Sequence, residues 1–185
     1  MRSLRLTIIS LILAFAASTL MGANPARAAS AAEIDRDAKN VLEKLYKKSS
    51  AAKALGEKAK GVLVFPSVVK AGFMVGGLYG EGVLLRDGKP VAYYNTVAGS
   101  YGLQIGAQKY GYAMFLMNDA AIQYLNKSDG WEVGTGPSIV VVDKGAAGGM
   151  STTNLRDDIY AFIFSQTGLM AGLGLQGTKI TKIAK

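Results

Sequence analysis

The sequence predicts an α+β fold: an N-terminal amphipathic helix or helix pair, then a mainly antiparallel, strongly curved, glycine-rich β-sheet with one short additional helix. Three observations predict it. Apolar residues between positions 33 and 48 recur at the 3.6-residue period of one helix face. From Gly61 onward, β-branched and aromatic runs alternate with glycine and turn residues. Asp87-Gly88 separates two such runs, which is a strong hairpin signal.

The first helix carries its own start signal. Ser30 is followed three positions later by Glu33, the spacing of a capping box that satisfies exposed backbone donors. The face opposite the apolar residues is basic, and its cations gather toward the C-terminal end, where they suit the helix dipole. These basic residues are Arg36, Lys39, Lys44, Lys47 and Lys48. We expect a second short helix from Ser50 to about Lys58.

Short strands follow the helices. We expect a strand at 62–65 that stops at Pro66, and a central strand at 112–117 that is buried on both faces. In the alternating segment between them, Tyr101, Leu103, Ile105 and Ala107 are expected to face the core, and Gln108 and the intervening small residues to form a polar face. Asn118 or Asp119 can cap a short helix that ends at Leu125. Further strands are expected at 138–142, 159–164, 169–175 and 178–183.

The first 28 residues have the features of a secretory signal. Arg2 and Arg5 precede an apolar run from 6 to 21, and the small-x-small site Ala26-Arg27-Ala28 follows Pro25. This pattern predicts a signal peptide at 1–28, cleaved before Ala29, and a single domain at 29–185. We therefore expect an exported protein that is periplasmic or peripherally associated with a membrane.

Charge and composition exclude several classes of function. The formal net charge of +8 falls to +5 without the three arginines of the signal, a mild excess that suits anionic surfaces more than nucleic acid. The chain has no histidine and no cysteine, so Ser-His and Cys-His catalysis and imidazole or thiolate metal sites are unavailable. The sequence predicts no enzyme, no metal site, no cofactor and no nucleic-acid partner.

Two motifs that suggest chemistry have simpler explanations. The segment 98–102 resembles a nucleophile elbow around Ser100, but it lacks both the first glycine and a histidine base. The segment 172–177 matches G-x-G-x-x-G, yet too few residues follow it for a dinucleotide-binding unit. A hydrolase that uses Ser100 or converging carboxylates is an alternative that ranks below a binding role.

Several blocks occur together in an order that is typical of one family. Phe65-Pro66-Ser67-Val68-Val69-Lys70-Ala71-Gly72-Phe73 is followed by the glycine-rich segment 76–84, then by 99–108 with its glycines and glutamines. Phe115-Leu116-Met117-Asn118, Gly136-Pro137 and the segment 168–172 complete the series. From about residue 35 to the C-terminus, the chain resembles the SYLF, or Ysc84-like, lipid-binding domain family.

The resemblance implies a non-enzymatic domain that binds phospholipids, with phosphoinositides as the usual eukaryotic ligands and actin as a partner of fungal members. It also implies a membrane role for the amphipathic helix. We expect anionic phospholipid or a membrane surface as the partner, bound by Arg36, Lys39, Lys44, Lys47, Lys48 and Lys70. No protein partner can be named. The alternative is a structural or protein-interaction module of the cell envelope that has no lipid ligand.

Overall fold

The computed structural model describes residues 28–127, 129–142, 156–168, 175 and 177–185, and the backbone alone at 73–74, 100–105 and 168. The helices are α1 (Ala31–Lys48), α2 (Ser50–Lys58) and α3 (Asp119–Leu125). The strands are β1 (Gly61–Arg86), β2 (Lys89–Leu116), β3 (Trp131–Glu132), β4 (Ile139–Val142), β5 (Ile159–Gly168) and β6 (Lys179–Ile183). In these residues the architecture is a helix pair followed by a strongly curved sheet.

The strand β2 is the centre of the sheet. Along its whole length it pairs antiparallel with β1. On its other edge it pairs with β6 at residues 93–97 and with β5 at residues 108–116, both antiparallel. β3 extends the sheet beyond β6, and β4 adds to β5 in the one parallel pairing among the described strands. The two ends of β2 therefore pair with different strands, β6 near one end and β5 near the other.

A tight turn joins the two long strands. Asp87 and Gly88 both have positive φ, at 50° and 71°. Two successive residues of this kind are the mark of a type I′ turn, whose twist matches that of a right-handed hairpin. The hairpin predicted at Asp87-Gly88 is confirmed, although the strands on either side are 26 and 28 residues long and not short.

Bulges and glycines bend this hairpin back on itself. The register of β1 against β2 shifts between Phe65 and Val68 and again between Phe73 and Val75. A Cβ atom on Gly72 would lie 2.8 Å from the Val75 carbonyl oxygen, so the backbone folds tightly there. A Cβ on Gly80 would lie 2.7 Å from Val68 Cγ2. The second half of β1 therefore packs directly against the first half.

The bent sheet is buried on both faces. Leu63 and Phe65 lie in an inner core cluster with Tyr94 and Tyr112, whereas Val62 and Val64 belong to an outer cluster with residues of α1 and α2. Helix α3 packs on the inner cluster through Ala121, Ile122 and Leu125. Because neighbouring side chains of β1 enter different clusters, its first residues are continuously apolar.

The sequence-based fold class is confirmed, with the helix pair, the mainly antiparallel sheet and the short third helix. The expectation that the strand at 62–65 stops at Pro66 is wrong. Pro66 lies in the bulge between Phe65 and Val68, where the ladder is interrupted and its missing N–H is not needed. The strand therefore continues.

The expected faces of the alternating segment are wrong where side chains are described. Gln108 is 2% exposed, whereas Ala107 lies on the exposed face. The reason is that Gln108 shares its face with the buried Tyr110 and Tyr112, two and four residues on. The predictions for the side chains at 100–105, for the signal peptide at 1–28 and for a strand at 169–175 lie outside the described residues, apart from Ala28 and Leu175.

The self-packing of β1 can be tested at Gly82. A Cβ there would meet the Val64 carbonyl oxygen and lie 2.6 Å from the Phe65 ring. We expect Gly82→Ala to lower the free energy of unfolding by about 1–3 kcal/mol, because the packed backbone cannot move away. Urea denaturation followed by circular dichroism measures this.

Gly99→Ala in β2 is the matched control, since a Cβ there meets nothing within 4 Å. Its stability should stay within about 1 kcal/mol of the wild type. Equal losses in the two variants would contradict close packing of the two halves of β1.

Candidate functional site

Helix α1 is fixed to the sheet by its apolar face. Ser30 caps it: its hydroxyl accepts a hydrogen bond from the Glu33 N–H, and its own N–H donates to the Glu33 carboxylate at 2.8 Å. The capping box is confirmed. Ile34, Ala38 and Leu45 are buried in the outer cluster. Burying a side chain such as Ile or Leu contributes about 1.5–3 kcal/mol, so the helix is firmly docked.

The acidic residues of the first half of α1 are already engaged. The Tyr93 hydroxyl of β2 donates to Asp35 at 3.1 Å, and burial together with this hydrogen bond raises the pKa of Tyr93. Asp37 pairs with Arg36 at 3.0 Å, although both side chains are at least half exposed. Such surface pairs contribute about 0–1 kcal/mol. The charge of Arg36 is therefore partly balanced within its own helix.

The docked helix presents its remaining cations outward. We call Lys39, Lys44, Lys47 and Lys48 the basic face; all four are exposed. Lys39 and Lys47 lie on either side of Glu43 at four-residue spacing, which places the three side chains on one side of the helix. Lys44, Lys47 and Lys48 occupy the last turns, where Glu43 is the nearest acidic residue in sequence. The excess of positive charge is at this end.

Lys70 lies on a different element from the other expected binding residues. It is a half-buried residue of β1, beyond the bulge at Phe65 and Val68, and its Cα partner on β2 is Gln108. Paired residues of antiparallel strands share a face, so Lys70 lies on the face of the inner cluster. The structure thus groups five of the six expected residues on α1 and separates Lys70 from them.

A group of polar side chains inside the bend of β2 was not expected from the sequence. Tyr94, Thr96, Gln108 and Tyr112, here the polar cluster, are each at most 2% exposed. By hydrogen-bond geometry their side-chain hydroxyl and amide groups reach no partner within the described part of the chain, although the Tyr112 hydroxyl lies close enough to that of Thr96 to influence its pKa. Buried groups of this kind can bind ordered water or a polar ligand. The signal that could have found them is the two-residue spacing of tyrosine and glutamine at 108, 110 and 112.

Burial controls the ionisation of the tyrosines near this cluster. It raises the pKa of Tyr110 to about 12 and also raises that of Tyr94. Burial raises the pKa of Tyr112 far above its usual range, and the neighbouring Thr96 hydroxyl offsets only part of that rise. These phenols are therefore neutral hydrogen-bonding groups at physiological pH.

Two carboxylates of the β region, Asp157 and Asp158, have structural partners. Asp158 accepts hydrogen bonds from Asn118 Nδ2 at 2.6 Å and from the Ser138 N–H at 2.8 Å, and these bonds lower its pKa. Asp157 accepts from the Tyr160 hydroxyl at 3.4 Å. Among the described residues, no three acidic side chains come together as a metal site.

A membrane-spanning helix is not found in the described parts of the chain, where no helix is both long and apolar enough to cross a bilayer. The longest, α1, has 18 residues and uses its apolar face against the sheet.

Comparison with known proteins identifies the family. Residues 97–184, which include most of β2 and all of β5 and β6, match the family described as Ysc84, Las17-binding protein actin regulator. The chain belongs to the Ysc84 family. A curated relative, an SH3 domain-containing protein of Schizosaccharomyces pombe, is 32% identical over 134 residues, which is 67% of this chain and 30% of that protein. The Ysc84 family is one of binding domains and not of enzymes.

The region that matches the Ysc84 family does not include the basic face of α1. The matched region contains most of β2 and two members of the polar cluster, Gln108 and Tyr112, while the basic face on α1 precedes it. Two candidate binding surfaces therefore exist, one cationic and exposed, one polar and buried. The chain spans about 30% of the length of the yeast relative.

The buried tyrosines predict sensitivity to alkali. The pKa of Tyr110 is raised above its unfolded value of 10.0, so its contribution to stability is complete below pH 10 and is lost as the pH rises toward 12. We expect Tyr110→Phe to flatten the loss of stability between pH 10 and 12. Thermal unfolding across this range, with tyrosinate absorbance as a second signal, measures it.

Tyr124→Phe on α3 is the control, because Tyr124 is only half-buried. A wild-type protein whose tyrosines all ionise near pH 10 while it remains folded would contradict this assignment.

Proposed function

We propose that this Ysc84-family protein is an exported, non-enzymatic, phospholipid-binding protein of the bacterial cell envelope. In this proposal the signal at 1–28 is removed and the domain at 29–185 is periplasmic or peripherally bound to a membrane. It binds anionic lipid through the basic face of α1 and the adjacent sheet, and it requires no metal or cofactor.

The observation that supports the proposal best is the orientation of α1. Its apolar residues are buried against the sheet, so the lysines are held in fixed positions that point away from the domain. A basic surface of this kind attracts anionic headgroups, and each lysine near the surface contributes about 1 kcal/mol. Lys44, Lys47 and Lys48 together would supply about 3 kcal/mol, or roughly a hundredfold in affinity.

The same docking defines how the helix would meet the lipid. Because Ile34, Ala38 and Leu45 are occupied by the outer cluster, they are not free to enter the acyl layer while the fold is intact. The contact would be electrostatic and therefore weakened by salt, since the screening length is about 8 Å at physiological ionic strength. Lys70 would provide an additional contact for a headgroup at the inner face.

Co-sedimentation with liposomes tests the proposal. The processed protein is mixed with neutral phosphatidylcholine vesicles and with vesicles that also contain phosphatidylglycerol, across a salt series. We expect binding to the anionic vesicles that falls as salt rises. Charge reversal at Lys44, Lys47 and Lys48 should reduce binding by at least about a hundredfold at low salt, because it removes three attractions and adds three repulsions.

The matched control reverses Lys89, Lys179 and Lys182, three exposed lysines of the sheet that change the net charge equally. It should bind nearly as well as the wild type. Equal, salt-independent binding to both kinds of vesicle would reject the electrostatic site. Binding that the α1 variant leaves unchanged would instead favour Lys70 and the inner face.

The second candidate is a protein-interaction module of the envelope. The family description names a Las17-binding actin regulator. An exported protein would meet protein partners other than these. Val69, Val75, Tyr79 and Val91 are at least 49% exposed on the hairpin and offer an apolar surface for a protein. Failure to bind any vesicle, with retained folding, would favour this candidate.

A further inference from the structure

The Glu81 carboxylate lies in a nearly closed network. It accepts hydrogen bonds from the Tyr79 hydroxyl at 2.9 Å, from Lys185 Nζ at 3.0 Å and from the Ala29 backbone N–H at 3.1 Å. The side chains of Glu81 and Lys185 are 10% and 11% exposed. A carboxylate so shielded from water interacts strongly with the groups around it.

Ala29 is held at both of its backbone groups. Its N–H donates to Glu81 Oε2, and its carbonyl oxygen accepts from Lys185 Nζ at 2.7 Å. The next residue, Ser30, caps α1, whereas the preceding residue, Ala28, is exposed. Among the described residues the network begins at Ala29, and the Ala28–Ala29 bond lies next to the exposed Ala28.

This edge coincides with the bond that the sequence predicts to be cut. The small residues of Ala26-Arg27-Ala28 fit signal peptidase, with cleavage before Ala29. Hydrolysis of that bond consumes one water molecule, leaves the carboxylate on Ala28 and frees the nitrogen of Ala29 as a primary amine. The amine takes up a proton at neutral pH, because an unperturbed α-amino group has a pKa of about 7.7–8.0.

We propose that Glu81 is the receptor for the α-ammonium group that processing creates at Ala29. Cleavage turns an amide-to-carboxylate hydrogen bond into a shielded ion pair without moving the nitrogen, and charge-assisted hydrogen bonds are about twice as strong as neutral ones. Lys185 lies on the other side, bonded to Glu81 Oε1 and to the Ala29 carbonyl oxygen. The processed chain is therefore held more firmly than the precursor.

The charged and titratable groups around the new ammonium favour its protonated form on balance. Glu81 is in contact with it, and Glu33 is nearby through its hydrogen bond with the Ser30 N–H. Lys185 opposes protonation, and Tyr79 is neutral, because burial and Glu81 raise its pKa. With the carboxylate nearest, the pKa of the Ala29 ammonium rises above its usual value.

The sign of the pH dependence follows. The raised folded pKa means that the ion pair stabilises the fold fully below about pH 8 and that this contribution is lost as the pH rises through the folded value. The proposal shares with the proposed function only the export of the chain, and it does not depend on lipid binding.

The first experiment locates the N-terminus. The full chain is expressed in an exporting bacterial host, and the intact mass and N-terminal peptide of the product are measured. We expect Ala29 as the first residue. A retained leader would overturn both this proposal and the processing step of the proposed function, whereas cleavage at any other bond would overturn this proposal alone.

The second experiment tests the contact itself. The pKa of the α-amino group of the processed chain is measured by competitive acylation, with expected values above about 8 in the wild type and at or below about 7.7–8.0 in Glu81→Gln, where Lys185 remains. Glu57→Gln on α2, an exposed carboxylate, is the control and should leave the pKa unchanged. A wild-type pKa at or below about 8, or one that Glu81→Gln does not lower, would overturn the proposal.

A chain that begins at Ala28 provides a test that keeps Glu81 intact. It retains an amide at Ala29 and moves the ammonium to an exposed residue. We expect its melting temperature at pH 7 to be roughly 2–4 °C below that of the chain beginning at Ala29. The difference should vanish at pH 10; equal melting temperatures at pH 7 would contradict a stabilising ion pair.

Discussion

The close approach of the two halves of β1 is the contact on which the rest of the structure depends. Gly80 and Gly82 allow the second half of the strand to lie directly on Val64, Phe65 and Val68 of the first half. Because β2 follows β1 along its whole length, the same bend turns the two ends of β2 toward one another. This bend of the β1–β2 hairpin encloses the inner cluster and the polar cluster. It also leaves the two ends of β2 to pair with different strands, β6 and β5.

The features that could be predicted from the sequence are those formed by residues close together in the chain. The capping box at Ser30, the period of α1 and the turn at Asp87-Gly88 each use residues within a few positions, and all are confirmed. The length of β1 could not be predicted, because Pro66 is tolerated only where the ladder already has a bulge. Gln108 is buried because it shares its face with Tyr110 and Tyr112, so the polar face expected for it was wrong.

The candidate sites, too, were predictable from the sequence only in part. The lysines of the basic face were identified from helical spacing, and the structure adds that docking of α1 fixes their direction. Only the structure shows that Asp35 bonds to Tyr93 and that Asp37 pairs with Arg36. These contacts leave the excess of positive charge at the last turns of α1. The network of Glu81 joins it to Ala29, which is 52 positions away, and to Lys185, which is 104 positions away. No motif or period in the sequence could reveal contacts at such separations.

The central position of β2 also sets an order for folding. Its turn with β1 joins residues adjacent in sequence, so pairing can start at Asp87-Gly88 and extend outward with little loss of loop entropy. The strands that cover its other edge, β5 and β6, come at least 43 residues later in the chain. Until they are synthesised, that edge offers unpaired backbone groups to other chains, and an incomplete molecule is open to aggregation. We expect such a chain to need a holding chaperone until β5 and β6 have paired with β2.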